Sequence, residues 1–267
     1  MKRIRSVAVL GAGTMGTQIA AHVANAGFPA LLLDLDSKTA REGLSKAKKL
    51  KPNPFFTRDT DKLITAGGFD TDLNKIAKYD WIIEAVVERI DIKQKLLSEV
   101  EAYRSSDSII SSNTSGIPIS DISDGFSKEF RRLWLGTHFF NPPRYLRLLE
   151  VIPTVDTDPN VTDAIVNFGS QRLGKGVVIA KDTPGFIANR IGLFAVVQAL
   201  RELVAGNFTI EEIDGITGPL LGRPRSATFR TLDIAGIDIF SAVTSDLTKR
   251  LNNKQEREEF SLPPLIA

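Results

Sequence analysis

The 267-residue chain contains no cysteine and only two histidines, His22 and His138. The absence of cysteine excludes disulfides, a thiolate nucleophile and a zinc–thiolate centre. The scarcity of histidine excludes a histidine-rich metal site. An excess of charge is also missing: the net charge of +2 gives no electrostatic case for nucleic acid or a polybasic membrane footprint. A small basic patch for an anionic substrate remains compatible with it. No run of residues approaches the ~18 apolar positions needed to cross a bilayer. The basic start Met1-Lys-Arg-Ile-Arg5 is like that of a signal peptide, but the apolar run behind it, Val7 to Leu10, stops at Gly11 and is too short. A cytoplasmic location is the expectation.

What is present is a globular composition, long enough for one or two domains. The front of the chain alternates short apolar strands with longer amphipathic segments, the pattern of a parallel sheet covered on both faces. Strands are expected over Ser6–Leu10, Ala30–Leu33, Trp81–Val87, Ser108–Ser112, Leu133–Phe139, Leu148–Ile152 and Val177–Ala180. Helices are expected over Thr14–Ala26, Ser37 to about Leu50, and Asp91 to Tyr103. After Asp182-Thr-Pro-Gly the texture changes. Phe186 to Ala205 has helical spacing and no strand follows. The reading is an α/β Rossmann domain over residues 1–182 and a smaller all-helical domain over 183–267.

Gly11-Ala-Gly13-Thr-Met-Gly16 matches GxGxxG directly after a strand and at the opening of a helix. Gly11 permits the tight turn, Gly13 lets the backbone approach a pyrophosphate, and Gly16 lets helix and sheet pack closely. The helix N-terminus, with Thr14 and Met15, presents free N–H groups to the phosphates. Asp34 ends the second strand 18 residues after Gly16, where a carboxylate accepts hydrogen bonds from the ribose hydroxyls. It also repels a 2′-phosphate, so NAD is expected as cofactor rather than NADP. Asp36 reads as a helix cap.

Further on, five groups occur in order: Glu84-Ala-Val-Val-Glu88 with Lys93 behind it, Ser112-Asn-Thr-Ser115, His138-Phe-Phe-Asn141-Pro, Leu149-Glu150-Val-Ile, and Asp182-Thr-Pro-Gly-Phe-Ile-Ala-Asn189-Arg190. Together they resemble the L-3-hydroxyacyl-CoA dehydrogenases of fatty-acid β-oxidation. Asn-Pro-Pro-Arg-Tyr after Phe140 is similar to the dehydrogenase part of fused β-oxidation enzymes. The resemblance implies NAD-dependent oxidation of a 3-hydroxyacyl-CoA to the 3-ketoacyl-CoA. It implies His138 as base, Glu150 as the residue orienting that imidazole, and Ser115 and Asn189 as contacts near the 3-oxygen and thioester. Asn141 would help hold the active-site loop, and Glu88 and Lys93 would line the nicotinamide side. Imidazole suits the base because it titrates near neutrality. His22, inside the first helix, reads as a packing or surface residue.

The sequence also departs from the family. Ser37 to Thr57 is shorter than the helical excursion of the single-function members, and Lys48 and Lys49 read as a solvated helix face rather than CoA contacts. Glu256 to Ala267 stops where the family continues, so the helical domain is expected to be incomplete by comparison. Its helices from Gly236 onward would then expose apolar surface to a second copy or to the rest of a fused enzyme. Two alternatives stay open. One is a non-catalytic cofactor-binding or structural descendant. The other is a β-hydroxyacid dehydrogenase acting on small free acids, which needs a second-domain lysine where this chain offers Arg190, a group that does not deprotonate.

Overall fold

Eight strands pair into one sheet in the order β3-β2-β1-β4-β5-β6-β7-β8 in this computed structural model, which describes residues 3–264. The strands are β1 (Val7–Leu10), β2 (Ala30–Asp34), β3 (Ile64–Gly68), β4 (Trp81–Glu84), β5 (Ile109–Ser112), β6 (Trp134–Phe139), β7 (Leu148–Pro153) and β8 (Gly176–Ile179). The helices of this part are α1 (Thr14–Asn25), α2 (Ser37–Ala47), α3 (Phe69–Asp72), α4 (Ile90–Tyr103), α5 (Ile119–Ile122), α6 (Lys128–Arg132) and α7 (Pro159–Gln171). The chain divides into two compact units, Met1–Asp182 and Thr183–Ala267. The first is a Rossmann-type α/β unit and the second is helical.

The central strands are rich in apolar residues because both faces of the sheet are covered. Every residue of β1, β4 and β5 is buried. Six strands, β1 to β6, run parallel, and β7 turns back antiparallel on β6. The strand order reverses between β1 and β4, so a crevice opens at their C-terminal ends, where such sheets take ligands. A buried polar thread stitches β4 to β6: Trp81 Nε1 donates to Ser111 Oγ at 2.9 Å, and Ser111 Oγ lies 2.7 Å from Thr137 Oγ1. Trp81 also packs edge-on against Phe168 of α7, with ring centroids 5.8 Å apart. Asp36 caps α2, accepting from Thr39 N at 2.7 Å, as its sequence position suggests.

Three differences from the sequence reading have local causes. β3 was not anticipated, because Ile64-Thr-Ala-Gly-Gly68 is an edge strand ending in two glycines and lacks an apolar run. β4 stops at Glu84 rather than Val87: Ala85 N still donates to Leu10 O, but the Glu84 carboxylate then takes Val86 N at 2.7 Å and turns the chain. The long helix of the second unit begins at Ala188 rather than Phe186, because Phe186 has φ +47° and its N–H bonds back to Thr183 O.

The second unit comprises α8 (Ala188–Val204), α9 (Ile210–Thr217), α10 (Phe229–Ala235), α11 (Ile237–Arg250) and α12 (Lys254–Phe260). Val197, Leu200, Leu232 and Phe240 form one small core, and Leu247, Leu251 and Phe260 another. Arg190 and Glu256 pair at 2.8 Å between α8 and α12. α9 carries a capping box between Thr209 and Glu212.

His22 of α1 is buried, with Nε2 3.1 Å from Leu173 O and, among the described residues, no partner for Nδ1. Burial, and then the charge of Lys175, push its pKa down to about 4. The native ring therefore stays neutral while the unfolded one takes a proton below its ordinary pKa of 6.5. Stability is expected to fall as pH drops from 6.5 towards 4, by at most ~1.4 kcal/mol per pH unit. Urea denaturation of wild type and His22→Gln between pH 7 and pH 5 checks this: the variant should lose that slope.

Candidate active site

The crevice at the end of β1 is built for a phosphate-bearing ligand. Gly11 has φ +106°, and a Cβ there would sit 2.5 Å from Ala85 O, so only glycine lets the loops after β1 and β4 meet. A Cβ on Gly16 would stand 1.8 Å from Gly11 O, which fixes glycine where α1 crosses the loop. Gly13 is different: a Cβ there would meet nothing within 4 Å. Its openness is towards the ligand space. α1 has no side-chain cap and no acidic residue in its first turn, so the N–H groups of Thr14, Met15 and Gly16 favour an anion. A cleft of about 660 Å³ runs from Gly11 and Gly13 past Asp34 to Val86, Ile92 and Lys95. The residues present fit a dinucleotide. Asp34 accepts from Ala12 N at 2.5 Å and from Leu35 N at 2.7 Å, so its carboxylate also pins the glycine loop. Each oxygen keeps a second lone pair for a ribose hydroxyl.

Beside this cleft lies a cluster of two carboxylates and one ammonium. Lys93, 1% exposed, donates to both oxygens of the fully buried Glu84 at 2.7 and 3.0 Å and lies 3.3 Å from Glu88. Ser112 Oγ donates to Glu84 at 2.5 Å. Glu88 gathers the loop after β5, accepting from Thr114 Oγ1 at 2.5 Å, Ser115 N at 2.9 Å and Gly116 N at 3.2 Å. Burial works to raise the pKa of Glu88, but the Lys93 charge and these donors outweigh it and hold the carboxyl below its usual range. Lys93 thus reaches the site through its carboxylate partners, being itself shut off from solvent. The sequence gives Glu84 no role of its own, and the structure puts it at the centre of the cluster.

The third group depends on strand register. β6 and β7 are antiparallel with His138 directly opposite Glu150. His138 Nδ1 and Glu150 Oε2 lie 2.7 Å apart, both side chains buried. A carboxylate on Nδ1 fixes the imidazole's orientation and favours the tautomer with the proton on Nδ1. Asn113 Oδ1 accepts from Phe139 N at 2.9 Å and so ties the Ser115 loop to the end of the histidine strand.

Two family models match almost the whole chain: the 3-hydroxyacyl-CoA dehydrogenase NAD binding domain over residues 6–183 and the 3-hydroxyacyl-CoA dehydrogenase C-terminal domain over residues 185–265. The chain belongs to the 3-hydroxyacyl-CoA dehydrogenase family. Among its relatives, a probable 3-hydroxyacyl-CoA dehydrogenase of Bacillus subtilis is 44% identical over 99% of this chain and 36% of its own length. One of Deinococcus radiodurans is 47% identical over 92% of this chain and 73% of its own length. The chain thus spans about a third of the first relative and about three quarters of the second. The crystal structure of an (S)-3-hydroxybutyryl-CoA dehydrogenase from Ralstonia eutropha is 28% identical, with a TM-score of 0.82 covering 98% of this chain and 92% of that one.

Within this family frame, the first unit brings together the glycine loop, Asp34, Glu88, Lys93 and Ser115 along the strand ends, and pairs His138 with Glu150. Asn189 lies in the first turn of α8 and belongs to the second unit. Asn141 Oδ1 accepts from Gln18 Nε2 at 3.0 Å, which links the loop after β6 to the nucleotide helix. Lys175, whose pKa burial lowers to about 8, donates to Pro143 O and Leu146 O and holds that same loop. Gln18, Asn113 and Lys175 escaped the sequence reading because each acts on a distant backbone or amide and no local pattern marks it. Lys48 pairs with Asp61, which gives it a structural partner away from the site.

Gly13 and Gly16 separate ligand contact from packing. Gly16→Ala should lower the Tm by several degrees, since overpacking against backbone costs about 1–3 kcal/mol. Gly13→Ala should leave the Tm near wild type yet weaken NADH binding by at least about tenfold. Differential scanning fluorimetry and NADH fluorescence titration read the two effects.

Proposed function

We propose that the chain catalyses the NAD-dependent oxidation of L-3-hydroxyacyl-CoA to 3-ketoacyl-CoA, as a step of fatty-acid β-oxidation. The observation that carries this reading is the buried His138–Glu150 pair at 2.7 Å, at the end of the sheet that holds the nucleotide loop. Bound NAD would supply the acceptor for the hydride from C3. The chain's own part is the proton. With its Nδ1 hydrogen directed to Glu150, His138 uses Nε2 to take the proton of the 3-hydroxyl. Glu150 stabilises the imidazolium that results, and the reverse transfer serves ketone reduction.

Ser115 and Asn189 are assigned to the substrate's oxygen and thioester, where a hydroxyl and an amide can bond alcohol and ketone alike without ionising. Asn141 holds the loop that follows β6. Asp34 meets the ribose hydroxyls and sets the preference for NAD, while Gly11, Gly13, Thr14, Met15 and Gly16 take the pyrophosphate. Glu88, positioned by Lys93, lines the nicotinamide side. A cytoplasmic site of action suits a chain in which no described helix is long and apolar enough to cross a membrane.

Association through the second unit belongs to the same reading. Ile234, Ile237 and Ile239, at the end of α10 and the start of α11, are 74%, 47% and 58% exposed, an apolar group that favours a second copy or a neighbouring domain. The Bacillus subtilis relative, with nearly two thirds of its length beyond the matched part, has room for further domains.

Loss of NADH absorbance with acetoacetyl-CoA tests the reaction. Steady oxidation is expected, absent with NADPH. His138→Gln should lose at least ~10²-fold in kcat while NADH binding is kept. NADH binding without oxidation in the wild type would instead mark a non-catalytic descendant. Light scattering at micromolar concentration should give a mass above the monomer, and a monodisperse monomer would remove the association reading.

A further inference from the structure

The Glu84 carboxylate occupies a position from which two loops are controlled at once. It is fully buried at the last residue of β4 and takes Lys93 through both oxygens, Val86 N at 2.7 Å and Ser112 Oγ at 2.5 Å. Ser112 Oγ in turn accepts from Thr114 N at 3.1 Å. Lys93, fixed by Glu84, anchors Glu88 at 3.3 Å, and Glu88 accepts the backbone N–H groups of Ser115 and Gly116. Two routes therefore lead from Glu84 to one backbone segment, 113–117. One runs through the Ser112 hydroxyl and the other through the Lys93 ammonium and Glu88. The first route stays among buried groups, and the second leaves them only at Glu88, on the nicotinamide side. Glu84 itself has no open side from which to meet a ligand.

We propose that Glu84 is a positioning residue for the substrate side of the site, holding the Ser115 loop in register with His138 by dividing the Lys93 charge between itself and Glu88. This rests on the reading in which Ser115 meets the acyl-CoA. The physical reason is donor count. Three donors converge on Glu84, Lys93 reaching both oxygens, and the two carboxylate oxygens accept every one of these bonds. An amide of the same shape offers one oxygen, so in Glu84→Gln at least one donor faces an N–H instead. Ser112 and Lys93 then turn away, Thr114 N loses its acceptor, and Lys93 shifts towards Glu88 and pulls that carboxylate off the Ser115 and Gly116 amides. The glycine loop after β1 is held separately, by Asp34 and the β1–β2 and β1–β4 pairings. Its geometry should survive the change.

The test has one arm independent of turnover. Amide hydrogen exchange by mass spectrometry should show segment 113–117 of Glu84→Gln exchanging at least about tenfold faster, with β1 and α1 unchanged. In the second arm, kcat/KM for acetoacetyl-CoA should fall by about tenfold or more, while the Kd for NADH stays within about threefold. Combined with Ser115→Ala, the losses should be strongly non-additive, because both changes remove one function. If Glu84→Gln does not fold, Ser112→Ala, which keeps the ion pair, should show a smaller increase in the same segment. Unchanged exchange at 113–117 overturns the proposal, and so do additive losses with Ser115→Ala or a loss of NADH affinity as large as the loss in kcat/KM. A wild-type protein that does not oxidise NADH would sink the dehydrogenase reading alone. The exchange arm would still decide whether Glu84 holds the loop.

Discussion

A buried ammonium must be neutralised where it stands, and Lys93 imposes that requirement on everything around it. Taking the charge out of water costs several kcal/mol, recovered only if its partners are in place with good geometry. Those partners come from the end of β4 and the loop that follows it, while a hydroxyl from the end of β5 completes the Glu84 site. The cluster can therefore form only when β4, β5 and α4 are all in their final register. Removing one member strands the others, at a cost of about 3–5 kcal/mol for a broken buried pair. The start of the loop after β4 is thereby fixed.

The other side of the site is held by different means. His138 and Glu150 depend on the antiparallel pairing of β6 and β7, in which each residue's neighbour is set by the ladder. Beyond the β5–β6 ladder and the Ser111–Thr137 contact, specific side-chain bonds bridge the two regions: Asn113 to Phe139 N, and Gln18 to Asn141. The nucleotide helix, the Ser115 loop and the histidine strand are thus joined by side-chain amides in the first unit.

Much of this was legible in the sequence where the cause is local. The glycine loop could be read because a turn, a close approach and a helix contact each demand glycine at a fixed offset. β1 and β2 could be read because strands buried on both faces are continuously apolar. Asp34 could be placed from its spacing, but its bond to Ala12 N could not, since that partner is fixed by the turn. Glu84 remained obscure for the same reason: an acid ending an apolar strand means little until Lys93 and Ser112, nine and 28 residues on, are brought to it. β3 has almost no apolar signal, and the left-handed Phe186 contradicts the helical spacing in which it sits. The motif resemblance supplied the roles of His138 and Glu150. Sequence periodicity supplied only two strands that a turn around Asn141-Pro-Pro could place side by side.

The antiparallel β6–β7 pair also decides which kinds of genetic change the site can absorb. Residues 140–147 connect the two strands, and an added or lost codon there alters a connection while leaving the ladder as it was. A single codon gained or lost inside β7 is another matter, because side chains alternate faces with a period of two. One step of slippage would bring Leu149 or Val151 opposite His138 and turn the Glu150 carboxylate into the apolar side of the sheet. Descendants of this sequence can accordingly vary the length of that connection only where the anchors at Asn141, Pro143 and Leu146 are kept, whereas the spacing within each strand is closed to insertion and deletion and open only to substitution.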